Sequence, residues 1–338
     1  MQRSNGLAGL ITVFSIFGFL ILGCGGSDKP KAEWTKSKRL AGGDQGLSHV
    51  SGVVADTKFA YVVIGGTVAD EQAGTNGIRK IDLASGEVSS VDNGENMPQS
   101  ETGGLVSDDR YVYWNGGGKI LRISKDGSKP EVVASENVGI GIDMAVDGDK
   151  VYWANHGYYS PNTPSAPKPI YAVSKKGGKL DIFADQQNGP GNIVVDEQFV
   201  YWHTLNAVFK QPKSGGQPQA IYQATDKEGI DLLEQDADSL YFGFRGAGES
   251  RWALRKIPKN GGEPQTLVKS FSLKPFVIDA QNIYFFDEAG MLADVLCKVS
   301  KNGGDVINID QGYSSGAITQ TKTQVFFGSL DTIYSIDK

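Results

Sequence analysis

The chain has 338 residues, with 33 Lys and Arg against 39 Asp and Glu, a formal charge of −6 and a hydrophobic fraction of 39%. A mildly acidic balance with no basic stripe argues against nucleic acid as a partner. Only two cysteines, Cys24 and Cys297, are present, so a disulfide-rich scaffold is excluded and an apolar core must supply the stability.

Taken in chain order, the first element is an apolar run over residues 7–22, preceded by Arg3 and softened by Thr12 and Ser15. At 1.5 Å per residue it reaches about 24 Å, short of the roughly 30 Å hydrocarbon core of a bilayer. One basic residue, a short apolar core and a small residue before the break describe a secretory signal better than a membrane span. The run ends in Ile21-Leu22-Gly23-Cys24 and passes into the polar Gly25-Gly26-Ser27-Asp28-Lys29-Pro30. That ending resembles the lipobox of bacterial lipoproteins. The resemblance implies cleavage before Cys24, a diacylglycerol on its thiol and a further acyl chain, such as palmitate, on its amine. It also implies an exported, membrane-anchored protein of the cell envelope, at the outer membrane if the host is Gram-negative, because Gly25 follows the cysteine. With Cys24 lipidated, Cys297 is expected to be an unpaired, buried and inert thiol.

The rest of the chain is organised by an internal repeat. Val112-Tyr113-Trp114 recurs as Val151-Tyr152-Trp153, Val200-Tyr201-Trp202, Leu240-Tyr241-Phe242, Ile283-Tyr284-Phe285 and Val325-Phe326-Phe327, with Ala60-Tyr61-Val62 as a degenerate first copy. The copies lie roughly 40–50 residues apart, the length of a four-stranded propeller blade. Five residues before each middle aromatic stands an aspartate: Asp56, Asp108, Asp147, Asp196, Asp236 and Asp279, with Thr321 in the last copy. Each aspartate is expected to accept hydrogen bonds from the amides just after it, a structural role. A second turn recurs as Lys125-Asp126-Gly127, Lys175-Lys176-Gly177-Gly178, Lys213-Ser214-Gly215-Gly216, Lys259-Asn260-Gly261-Gly262 and Lys301-Asn302-Gly303-Gly304. Glycine and asparagine fit the positive φ that tight hairpins require.

These signals predict an all-β fold: one β-propeller, with seven blades and six as the alternative. The last copy, residues 316–336, supplies three strands, so residues 36–41 are expected to add the fourth and close the ring. The domain division follows: 1–23 signal peptide, 24–34 lipidated cysteine and tether, 35–338 a single propeller. The pattern resembles the YWTD family and TolB-like repeat propellers, most closely over residues 108–127. It departs from the YWTD pattern in carrying Asn115-Gly116, Ala154-Asn155 and His203-Thr204 where the Thr-Asp half should be, and that family has six blades. Fold likeness of this kind implies little about function.

In a propeller, the first-to-second and third-to-fourth strand turns share one rim, and they are short here. The second-to-third loops and the links between blades share the other. There the sequence inserts residues 65–77 and 155–168 and lengthens 93–103 and 185–190. Elaborated loops on a rigid scaffold are the default recognition site. The candidate ligand-binding residues of this rim are His49, Glu101, Asp143, His156, Tyr158, Tyr159, His203, Trp252 and Asp287. The three histidines could bind a divalent metal or act as general bases. No His-x-x-x-His spacing supports a metal, so the structural alternative has His49 capping a strand, His203 packed and His156 exposed in a loop. Gly-x-Ser-x-Gly, Walker and EF-hand motifs are absent from the sequence.

The functional expectation is a monomeric, non-enzymatic binding or scaffold module, with no cofactor and no catalytic residue assigned, engaging a protein, peptide or glycan. The alternative is a metal-assisted lyase or hydrolase at the mouth of the central channel, with His156 and His203 as ligands or bases.

Overall fold

The computed structural model describes residues 31–33, 35–64, 77–92, 104–116, 118–127, 129–138, 142–155, 167–225, 227–272, 274–288, 294–313 and 315–338. These residues form seven sheets arranged as a ring, antiparallel within each blade and nearly without helix. Two strands precede the first blade, β1 (Lys31–Ala32) and β2 (Lys38–Ala41). Blade one holds β3 (Val50–Ala55), β4 (Phe59–Ile64), β5 (Gly77–Asp82) and β6 (Val88–Asp92). Blade two holds β7 (Leu105–Ser107), β8 (Tyr111–Gly116), β9 (Lys119–Ser124) and β10 (Glu131–Ala134). Blade three holds β11 (Ile142–Val146), β12 (Lys150–Asn155), β13 (Lys168–Ser174) and β14 (Asp181–Gln187). Blade four holds β15 (Ile193–Val195), β16 (Phe199–His203), β17 (Ala207–Pro212) and β18 (Gln219–Gln223). Blade five holds β19 (Gly229–Gln235), β20 (Ser239–Arg245), β21 (Trp252–Pro258) and β22 (Gln265–Phe271). Blade six holds β23 (Phe276–Ile278), β24 (Asn282–Glu288), β25 (Asp294–Ser300) and β26 (Ile307–Tyr313). Blade seven holds β27 (Ser315–Gln320), β28 (Gln324–Ser329) and β29 (Thr332–Asp337).

The first strand of every blade touches the first strand of the next, from β3 round to β27 and back to β3. Seven is therefore the blade number, and the six-blade alternative falls. The fourth strand of blade seven is β2, antiparallel to β29 with Lys38 opposite Ser335 and Ala41 opposite Ile333. The N-terminal strand thus closes the ring as expected. One feature was not expected: β1, inside the segment assigned to the tether, adds in parallel to the outer edge of β26, with Lys31 opposite Ile307.

The aromatic triplets explain how sheets of this kind stack. Successive strand residues point to opposite faces, and in a propeller both faces meet another blade. Tyr113 therefore packs toward blade three with Met144 and Trp153, while Val112 and Trp114 pack toward blade one with Tyr61 and Ile78. The second strands are buried along nearly their whole length, whereas outer strands such as β18 stay exposed. Trp114, Trp153 and Trp202 are fully buried between blades. Truncating any one to Ala should cost about 3–5 kcal/mol.

Candidate functional site

Strand direction gives the molecule two unlike rims. The turn rim collects the Asp turns and the Lys-containing hairpins. The long-loop rim collects the second-to-third strand loops and the links between blades.

On the turn rim, the repeated aspartates bind their own turn amides and a lysine of the next blade, and Asp108, Asp147, Asp196 and Asp236 also accept from the tyrosine of their blade. Asp147 Oδ1 accepts from the Asp149 and Lys150 amides at 2.7 Å each. Its Oδ2 accepts from the Tyr152 hydroxyl at 3.2 Å and from Lys213 Nζ, which comes from the next blade, at 2.9 Å. Asp196 repeats the set with the Gln198 and Phe199 amides, Tyr201 at 2.8 Å and Lys259 at 3.0 Å. Further interblade pairs join Asp56 to Lys125, Asp108 to Lys175, Asp236 to Lys301 and Asp279 to Lys338. Burial alone would raise these carboxyls. The turn amides and the lysine outweigh it and lower them, Asp196 and Asp236 to about 2. Burial and the neighbouring carboxylate push the tyrosines up, Tyr61 and Tyr284 to about 12. These groups are consumed by one another and hold the blades together. A cavity of about 620 Å³ opens on this rim between blades six and seven, beside Asp279, Tyr284, Gln320 and Lys338.

The seventh interface breaks the pattern in all three positions. Thr321 replaces the aspartate, Phe326 the tyrosine and, on blade one, Leu83 the lysine. Leu83 donates its amide to Lys58 O in the way that Lys125 donates to Arg110 O, which fixes the correspondence. Phe326 and Leu83 belong to an apolar cluster with Ala41, Val53, Val62 and Ile333. One seam of the ring is thus closed by apolar contact and β2, where the other six add a polar clasp.

The sequence-derived candidates fall on the long-loop rim, insofar as they are described. Glu101, His156, Tyr158 and Tyr159 lie outside the described residues. His49 stands exposed just before β3 with φ of 40°, a left-handed backbone unusual for a residue with a side chain. His203, at the end of β16, is 5% exposed. Its Nδ1 lies 3.1 Å from Thr204 O; a carbonyl only accepts, so Nδ1 carries the hydrogen. Its Nε2 faces Asp231 Oδ1 of blade five at 3.8 Å. A Cβ at Gly191 would overlap the imidazole, so glycine there makes room for the ring.

Asp287 is 2% exposed, and its Oδ1 accepts from Ser272 Oγ at 2.6 Å and Arg251 Nη2 at 2.8 Å. It is an internal counter-ion. The group it presents to solvent is Arg251, whose side chain is 43% exposed and also faces Glu288. Next in the chain, Trp252 stacks under the Arg245 guanidinium at 4.9 Å and lies across Gly229, where a Cβ would crowd the ring. Lys274 pairs with buried Asp294 at 2.7 Å in the same quarter. Arg245, Arg251, Ser272, Lys274 and Asp294 were missed by sequence reasoning because no repeat marks them. The signal available was a loop with an Arg-Trp pair and a lysine-bearing link at neighbouring blades.

Asp143 on β11 and Glu234 on β19 both belong to innermost strands that line the central channel. Glu234 keeps some exposed surface, yet protein surrounds it. That burial, with Asp143 adding repulsion, raises its carboxyl to about 7. At the same register, opposite the second-strand aromatic, the other blades place Val54, Val106, Ala145, Val194, Val277 and Thr319. Glu234 is the single ionisable member of that ring. Among the described residues, no three His, Cys, Asp or Glu side chains converge in a way that could hold a metal ion.

Cys297 is fully buried on β25 and disulfide-bonded, which corrects the expectation of an unpaired thiol. The other cysteine of the chain, Cys24, lies outside the described residues. A Cys24 sulfur can enter a disulfide or carry a thioether-linked lipid, never both.

No protein-family model matches the chain, and no curated protein sequence matches it. Its likenesses are to solved structures. The chain aligns over 91% of its length with 98% of an oligogalacturonate lyase in complex with manganese, at 13% identity and a TM-score of 0.64. It aligns over 90% of its length with 54% of the GH74 enzyme of Niastella koreensis, at 15% identity and a TM-score of 0.65. A third match is the extracellular domain of a putative one component system from B. thetaiotaomicron, at 14% identity and a TM-score of 0.62, covering 90% of this chain and 40% of that one. At such identities the likeness establishes the propeller fold alone.

Proposed function

We propose that this chain is an exported, lipid-anchored β-propeller of the cell envelope that acts as a binding or scaffold module through its long-loop rim. The observation that carries the reading is the contrast between the rims. The repeated turn-rim aspartates and lysines are spent on clasping blades, whereas on the other rim buried Asp287 and Asp294 hold Arg251 and Lys274 in place and Arg245 lies over Trp252. Side chains fixed before a partner arrives lose little freedom on binding, and Trp and Arg dominate hot spots. An extended protein, peptide or glycan surface suits such a rim, with the propeller itself a monomer.

The test compares the rims. Recovery of a partner from the organism's own envelope, by pull-down, should fall about tenfold or more for Trp252→Ala with Arg245→Ala. It should not change for Lys176→Ala with Asn260→Ala on the turn rim. Equal recovery from both pairs would refute the reading. The anchor is tested separately by intact mass of the mature protein, which should show cleavage before Cys24 and an added diacylglyceryl group. An unmodified Cys24 held in a disulfide would remove it.

A metal-assisted lyase or hydrolase is the second reading, favoured by the fold shared with a lyase crystallised with manganese. The described donors do not assemble a metal site, so no step is derived through one. A thermal shift on adding manganese, zinc or calcium, lost in His203→Gln, would support it; no shift would leave it unsupported.

A further inference from the structure

The turn-rim cavity between blades six and seven has a structural origin. In the other blades, the hairpin joining the third and fourth strands leans over the outer strand of the preceding blade. A Cβ at Gly177 would lie 3.4 Å from Val133 O on β10, one at Gly261 3.8 Å from Ile221 O on β18, and one at Gly86 3.0 Å from Leu40 O on β2. Asn302 O likewise accepts from Gln265 Nε2 on β22 at 3.0 Å. No such hairpin joins β29 to the fourth strand of blade seven, because that strand is β2, which arrives from the N-terminal side. Lys338 holds the first hairpin position: its amide bonds Thr323 O at 3.0 Å, as that of Lys301 bonds Gln281 O at 2.9 Å. Beside it, where the covering hairpin would begin, the cavity of about 620 Å³ stands open.

The clasp beneath this opening is stretched. Lys338 Nζ bonds Gln320 Oε1 at 2.6 Å and Thr321 O at 2.7 Å, and stands 3.6 Å from Asp279 Oδ2. Lys213 and Lys259 reach their aspartates at 2.9 and 3.0 Å. Asp279 Oδ1 accepts from the Gln281 and Asn282 amides at 2.8 and 2.7 Å. Its Oδ2 keeps the acceptor capacity that the matching oxygens of Asp147 and Asp196 give to a tyrosine hydroxyl and a lysine. Burial pushes this carboxyl up, but the two turn amides, Lys338 and Tyr284 outweigh it and hold it below its ordinary value. Oδ2 is therefore an anionic acceptor at neutral pH. Thr321 stands where the other blades carry aspartate, so Asp279 is the one carboxylate of the lining. Lys322 and Gln281 are exposed at the edge, and Asn282 is half-buried.

Two ammonium groups disfavour a metal ion here, and the carboxylate disfavours an anion. A hydroxyl both donates and accepts, so neighbouring hydroxyls can bridge the carboxylate and the ammonium, each through a charge-assisted bond. The volume is in the usual range for a small-molecule site. We propose that this cavity is a second binding site, for a neutral mono- or disaccharide whose adjacent hydroxyls lie between Asp279 Oδ2 and Lys338 Nζ, flanked by Gln281 and Asn282. It is independent of the long-loop rim and of any partner held there.

The experiment titrates the purified chain with glucose, galactose, N-acetylglucosamine, maltose and cellobiose, read by saturation-transfer NMR and calorimetry, with glycine and inorganic phosphate as charged comparisons. At least one sugar should bind saturably. Asp279→Asn should weaken it about tenfold or more, because a charge-assisted bond is lost. Ala280→Trp fills the cavity from an exposed turn position, leaves the clasp groups in place and should abolish binding without lowering the melting temperature. Asn260→Trp on blade five should change nothing. Failure of every sugar to bind, binding that Ala280→Trp leaves intact, or displacement of the sugar by phosphate or glycine overturns the proposal.

Discussion

Asp147 and Lys213 show what one residue pair contributes to this ring. Their side chains are 11% and 22% exposed, and the carboxylate also receives two amides and a hydroxyl. Lys213→Met should cost about 1–3 kcal/mol in denaturant unfolding, since it strands a carboxylate between blades. Lys150→Met, which removes the exposed pair with Asp181, should cost less than about 0.5 kcal/mol. Equal losses would show that the clasps are ornamental. The clasp acids are depressed, so their stabilisation is complete above their ordinary value near 3.8 and is lost as pH falls toward 2. Asp196 and Asp236 should each forfeit about 2 kcal/mol over that window. Glu234 works in the opposite sense. Its raised carboxyl favours the fold below about 4.5, and that contribution disappears as pH climbs through about 7. Stability should therefore peak between about pH 4 and 6. Glu234→Gln should gain about 1–3 kcal/mol over the parent at pH 8 and nothing at pH 4. An identical pH profile for both proteins would contradict the assignment.

At the scale of elements, the seam between blades seven and one is the exception that explains the rule. Tyrosine, aspartate and lysine are replaced there together, by Phe326, Thr321 and Leu83, and the gap is filled by apolar side chains and closed by β2. Leu83→Lys alone should destabilise by about 1–3 kcal/mol, because its ammonium meets no carboxylate in an apolar cluster. Adding Thr321→Asp and Phe326→Tyr should recover at least half of that loss, measured by urea unfolding. No recovery would mean the seam is shaped differently from the other interfaces. Much of this architecture was legible beforehand. The triplets, the Asp turns and the glycine hairpins have fixed spacing because each blade must present the same edge to its neighbours. The three-strand last copy called for a strand such as β2. The pairing of each lysine with the aspartate of the preceding blade was hidden, although both recur in step, because the contact joins residues some 65 positions apart, as Lys213 and Asp147 are. β1 carries no pattern at all: two residues held by backbone bonds leave no trace in side-chain periodicity.

Over the whole molecule, the division of labour between rims is what the repeat allows. Regular turns can all be alike, and evenly clasped blades make a stiff platform, so variation is free to gather on the opposite side. The candidate residues there were found by loop length, but their arrangement was not legible. Asp287 reads as an acid awaiting a ligand, and in the fold it is the hidden anchor of Arg251. The most direct measurement places a photo-crosslinking amino acid at Arg245 or at Asn260 in the protein within its own cells, followed by identification of the adducts. The account expects a discrete protein or glycan adduct from Arg245 and no discrete partner adduct from Asn260. Discrete partner adducts from Asn260 with none from Arg245 would contradict it.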